Sequence, residues 1–143
     1  MSDLRVYDGM GYGPIDIALW DLAGKKYGIS VAKMLGGYKI RLPVYAPTHH
    51  GQEDPDRLDS PLAFSEYAVA SAEHGFAGFK IHGWHDGNVK RESETLRVVR
   101  RMLGERIDVM YDPGYQLRTH LDALKLGHVC DEIGALLMSP TRV

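Results

Sequence analysis

Hydrophobic positions along this chain alternate between helical steps of three and four and short runs in which every second side chain turns the same way. Ile15, Ala18, Leu19 and Leu22 recur at helical spacing, with Asp16, Asp21, Lys25 and Lys26 interleaved. Pro14 suits a first helical turn and Gly28 a helix end, so the pattern predicts a helix over about 14–26. A short helical stretch over 31–35 stops at Gly36 and Gly37, and residues 42–46 read as a strand with Pro43 near its start. Residues 48–59 are polar and read as a loop. Ser60 and Pro61 then supply an N-cap and a first-turn proline, Phe64, Tyr67, Ala68 and Ala72 an apolar stripe, and Gly75 a stop.

Two strand-like runs follow, over 76–82 and 107–112. Lys80 and His82 share one side of the first, with Phe79 and Ile81 on the other. Met110 and Asp112 share a side of the second, while Ile107, Val109 and Tyr111 face the opposite way. Between the runs lie a loop over 83–90 and a helix with Leu96, Val99 and Leu103 on one face and acidic and arginine side chains on the other, closed by Gly104. A last helix over 119–133 leads into the apolar run Ala135, Leu136, Leu137 and Met138.

The order is therefore strand, helix, strand, helix, strand, helix, strand. Strands begin roughly 27 to 35 residues apart, the size of a βα unit. Such alternation argues a parallel sheet with helices outside it. A nucleotide-binding doubly wound sheet lacks support, because no glycine-rich phosphate fingerprint follows a strand; Gly9, Gly11 and Gly13 read as an entrance to the first helix. Polar groups gather instead at the C-terminal ends of several strands, where (β/α)8 barrels place their chemistry. A full barrel takes about 250 residues, so four strands make a partial TIM barrel. Such a half-barrel would leave inward-facing groups such as Met110 and Leu136 uncovered. The expected division is an N-terminal lead over 1–13 and the N-terminal half of a barrel domain over 14–143.

Composition narrows the functions. With 143 residues and a formal charge of −2, the chain is large enough for a core and shows no electrostatic footprint for nucleic acid or an anionic membrane. No apolar run approaches the roughly 18 residues of a membrane span, and the first residues lack a signal-peptide pattern, so a cytoplasmic location is expected. The single cysteine, Cys130, excludes an internal disulfide and falls on a helical stripe with Ala123, Leu126 and Ile133, which makes it a packing residue. His49, His50 and His85 lie in loops at the same rim as His82 and are pocket candidates, and Trp84 either covers a substrate or packs under its loop.

The stretch from Ile15 through Trp20, Asp21 and Leu22 to Lys25, followed by Leu35-Gly36-Gly37, resembles the segment leading into the barrel of the mandelate racemase and muconate lactonizing enzyme family, in the enolase superfamily. Lys80-Ile81-His82 is similar to its second-strand motif, Asp112 to its third-strand metal ligand, and Leu124 to Gly134 to its approach to the fourth strand. The resemblance implies Mg²⁺-dependent removal of the proton α to a carboxylate, in a racemase or an acid-sugar dehydratase, on a small carboxylate or sugar-acid substrate, with homo-oligomers possible in the intact family. It implies Asp112 as a metal ligand, His82 as the base, and Lys80 as a group that assists it or contacts the substrate carboxylate. The physical need is a cation that stabilises the second charge developing beside the carboxylate.

The match breaks at the fourth strand. A Glu-Glu-Pro-like sequence is expected there, but the chain reads Leu137, Met138, Ser139, Pro140, and Gly114 stands where asparagine is common. Neither a thioether nor a neutral hydroxyl replaces a carboxylate on Mg²⁺. The isolated chain is thus expected to be inactive. The alternatives are a non-catalytic truncated fragment and a small α/β binding module that merely shares the pattern.

Overall fold

A computed structural model describes residues 12–37, 41–51 and 58–138. The chain divides into two compact units, at residues 42 and 43.

The first unit holds α1 (Gly13–Tyr27) and the single-turn α2 (Val31–Met34). Pro14 occupies the first turn of α1, and Gly28 ends it at φ 65°, a left-handed conformation that suits glycine. The apolar stripe of α1 is present but uncovered: Ile15, Leu19 and Leu22 are all exposed. Ser30 caps α2 by accepting the Lys33 N–H. The entrance glycines Gly9 and Gly11 lie outside the described residues, as do Ser139 and Pro140.

The second unit is a run of βα pairs. Its elements are β1 (Tyr45–Pro47), α3 (Pro61–Glu73), β2 (Gly78–His82), α4 (Val89–Leu103), β3 (Asp108–Asp112), α5 (His120–Ile133) and β4 (Leu136–Leu137). The four strands form one parallel sheet in chain order, β1-β2-β3-β4. This is the barrel-type arrangement expected from the spacing. The first strand starts three residues later than the apolar pattern implied. Residues 42–44 stay outside the ladder, while Pro47, which has no N–H to give, sits at its end.

Side-chain parity places the core. Phe79, Ile81, Val109 and Tyr111 turn to the helix side of the sheet and are completely or almost completely buried. They meet Phe64 and Ala68 of α3, Leu96, Val99 and Leu103 of α4, and Leu126, Val129 and Cys130 of α5. Each such side chain contributes about 1.5–3 kcal/mol on burial. Burial also pushes the Cys130 thiol up to about 11, which fits its packing role. The stripe expected on α3 is real except for Tyr67, which is half exposed. Ser65 and Ser71 are buried in the same helix because their hydroxyls donate to the Leu62 and Tyr67 carbonyls.

Helix ends follow the sequence signals. Ser60, Asn88 and Thr119 accept N–H groups at the first turns of α3, α4 and α5, and Gly134 ends α5 at φ 61°. Arg100 ties α4 to the end of α5 by donating to the carbonyls of Ile133 and Gly134 at 2.8 and 3.0 Å.

On the inner face the expectation for Met110 fails. Its side chain is only 9 % exposed, because Gly78 beside it has no side chain and the Met110 methyl fills that space. Leu136, paired with Met110 across β3 and β4, is exposed as expected. No helix among the described residues is long and apolar enough to cross a membrane.

Candidate active site

The C-terminal edge of the sheet gathers the predicted polar groups. In the parallel register Lys80 lies beside Met110 and His82 beside Asp112, so all three chemical side chains leave the same face. Lys80 Nζ donates to Asp112 Oδ2 at 3.2 Å, and both side chains are largely buried. His82 Nε2 stands 3.9 Å from the same oxygen. The other carboxylate oxygen, Oδ1, accepts the Gly114 N–H at 3.0 Å. Gly114 turns there at φ 58°, which brings its amide back onto the aspartate.

These contacts fix the charge states. Burial alone would raise the Asp112 carboxyl, but the Gly114 N–H and the Lys80 ammonium outweigh it and hold the group below the usual carboxylate range. His82 is pushed the other way from a charged partner's usual effect. Burial, with the neighbouring His50, lowers its pKa despite Asp112. At neutral pH the edge therefore carries an ionised carboxylate, a lysine bound to it and a neutral imidazole able to accept a proton.

Residues 48–51, directly after β1, lie against this group. His50 stacks on His82 with ring centroids 4.0 Å apart, and His85 lies 4.6 Å from His50. The His50 Nδ1–H donates to the Gly83 carbonyl at 2.8 Å, which leaves Nε2 as the free nitrogen. Thr48 latches the two strand ends together. Its hydroxyl accepts the His82 N–H at 2.8 Å, and its own N–H donates to the Lys80 carbonyl at 2.9 Å. His49 stands close enough for its charge to act on His82.

Trp84 packs under its loop. It is 1 % exposed, sits against Phe64, and donates its indole N–H to Thr95 at 2.9 Å. Gly51 crosses its ring so closely that a Cβ there would fall 2.6 Å from a ring carbon.

Glu92 is the residue that patterning misses. Its spacing from Leu96 and Val99 sets it on the apolar stripe of α4, where a carboxylate is not expected, and it is fully buried there and accepts the Trp84 N–H. The available signal was its place in the first turn of a helix directly after a strand-end loop, where a carboxylate can turn back onto backbone amides.

The donors at this edge do not by themselves make up a divalent-cation site. Among the described residues no three His, Cys, Asp or Glu side chains converge as a metal requires. Mg²⁺ takes near-octahedral oxygen ligands and gives up water reluctantly, so Asp112 alone, already bonded to Lys80, does not make its site.

No family model matches the chain. It is 33% identical over 103 residues to the L-talarate/galactarate dehydratase of Salmonella typhimurium, covering 72% of this chain and 24% of that enzyme. Its fold matches the D-glucarate dehydratase of Agrobacterium tumefaciens complexed with magnesium at a TM-score of 0.82 and 30% identity, over 89% of this chain and 34% of that one. The mandelate racemase/muconate lactonizing protein of Paracoccus denitrificans, also complexed with magnesium, matches at a TM-score of 0.74 and 26% identity, over 90% and 35% of the two chains. The chain thus spans about a quarter to a third of the length of these relatives. Over that stretch, which leads into a (β/α)8 barrel and forms about its first four strands, it is a relative of the mandelate racemase and muconate lactonizing enzymes of the enolase superfamily.

Proposed function

We propose that this chain carries the second- and third-strand part of an active site that removes the proton α to a carboxylate, in an acid-sugar dehydratase or a racemase. The observation that carries this reading is the convergence of Lys80, His82 and Asp112 at one sheet edge, with the lysine and imidazole nitrogens both within 3.9 Å of one carboxylate oxygen. His82 acts as the base, since it is neutral and its ring nitrogen faces the site. Lys80 assists it or holds the substrate carboxylate. Asp112, kept ionised, would supply one ligand to a magnesium ion where other residues completed the set, and that ion would supply the positive charge that a deprotonated carboxylate substrate needs.

The reading is tested by transplantation. Residues 76–114 replace the corresponding segment of a full-length acid-sugar dehydratase, and α-proton exchange is followed in deuterium oxide. The expected chimaera exchanges the α-proton of its sugar acid, and His82→Asn or Asp112→Asn reduces this by at least about 100-fold, the scale of a lost general base. A folded, magnesium-binding chimaera without exchange would overturn the proposal.

We further propose that the 143-residue chain alone has neither activity, because one carboxylate does not offset the dehydration of magnesium. Calorimetry should find no one-to-one micromolar site, and sugar acids and mandelate should show no α-proton exchange above buffer. A micromolar site abolished by Asp112→Asn, or exchange lost in Lys80→Ala, would refute this.

A further inference from the structure

We propose that Glu92 is a positioning residue: its buried carboxyl, seated against Gly83 and accepting the Trp84 N–H, sets the turn from which His50 and His82 are held over Asp112. The inference rests on the reading of Lys80, His82 and Asp112 as one site.

Gly83 and Trp84 form the crossing point of three segments. The Gly83 N–H donates to the Asp112 carbonyl at 3.2 Å, which ties the turn to β3. The Gly83 carbonyl accepts from the His50 ring at 2.8 Å and from the Gly51 N–H at 3.3 Å, which ties it to the loop after β1. On the helix side a Cβ on Gly83 would fall 2.5 Å from Glu92 Oε1 and 2.8 Å from Oε2. The carboxyl thus occupies the space where a side chain would be, and glycine is required for it to do so. The Trp84 ring is held by the same helix, through Thr95 and the Arg91 guanidinium, 4.7 Å from the ring centre.

The acceptor must stay in place for the turn to stay in place. Without Glu92 the buried Trp84 N–H has no partner and a void opens beside Gly83, so the turn relaxes towards α4. His50 then loses the carbonyl that selects its Nδ1–H form, and the stacked pair loses its support. Burial pushes the Glu92 carboxyl up to about 7, against the pull of the Trp84 N–H. The titratable and charged groups facing it are the Tyr111 hydroxyl from β3, Asp86 from the preceding loop and Arg91 from its own helix, with Cys130 of α5 acting on Tyr111. Glu92 Oε2 and the Tyr111 hydroxyl are also the buried side-chain atoms, among the described residues, without a well-formed hydrogen bond.

The test uses the 143-residue chain labelled with ¹⁵N, without metal or substrate, so its outcome is independent of whether α-proton exchange is ever found. Histidine ring spectra should show His50 as a single Nδ1–H tautomer in the wild type and in Glu92→Gln, which keeps the acceptor. Glu92→Ala should convert it to a mixture. A merely structural role would lower stability and leave the tautomer unchanged, and that result overturns the proposal. If Glu92→Ala does not fold, the backbone amides decide. The Trp84 and Gly51 amide shifts should both step near pH 7 in the wild type, and Glu92→Gln should abolish both steps. A Trp84 step with no Gly51 difference between the two proteins would refute transmission to the histidine loop.

Discussion

At the scale of single residues, the proposed site pairs a carboxylate with an imidazole, and neighbours set the charge of each. Removing His50 should raise the His82 pKa towards its ordinary value, because a neighbour that disfavours the charged His82 ring is lost. Asp112→Asn should lower it further, because the one group favouring the charged ring disappears. Ring-proton titration by NMR reads both shifts, and movement in the same direction would contradict this account. The depressed values of His82 and Asp112 carry one sign in stability. Each group binds fewer protons folded than unfolded, so its stabilisation is complete above its ordinary pKa and is lost as pH falls through the folded one. Lys80, His82 and Asp112 were legible from strand parity alone, since alternation decides which face a side chain leaves. The stacking of His50 on His82 was not, because it depends on the path of a loop that no periodicity describes.

At the scale of elements, α4 shows where pattern reading succeeds and where it stops. Its caps and the buried faces of Leu96, Val99 and Leu103 follow from spacing. Glu92 and Thr95 lie on the same buried side, held there by Trp84, a partner outside the helix that helical periodicity does not register. The consequence has the opposite sign to that of Asp112. Glu92 binds a proton more readily folded than unfolded, so its contribution is full below about pH 4.5 and falls until about pH 7. The total is on the order of 3 kcal/mol as an upper limit. Urea unfolding between pH 5 and 8 should therefore show wild-type stability declining relative to Glu92→Gln. Parallel curves for the two proteins would show that Glu92 is ionised throughout. Strand β1 starts later than its apolar pattern implies for a related reason: Leu42 and Val44 satisfy the pattern without a ladder partner, and strand pairing begins only at Tyr45.

At the scale of the whole molecule, the parallel order and the barrel-type unit spacing were readable because each βα pair repeats a similar length. The exposure of Leu136 on β4 was readable, as an inward-facing apolar position without a partner inside the stretch, whereas the exposure of the α1 stripe was not. One consequence lies in the strand order of the second unit. Among the described residues every pairing in the sheet joins units that are consecutive in the chain, which makes this sheet a linear array of nearest neighbours. Arrays of this kind lose structure from their ends inwards, and their unfolding spreads over several steps. Amide hydrogen exchange should accordingly be slowest in β2 and β3, faster in β1, and fastest in the two-residue β4, whose residues are exposed. Equal protection across all four strands would mean that the array unfolds as one cooperative body. The gradient matters for the proposed chemistry, because Lys80, His82 and Asp112 all belong to the two central strands, the part that frays last.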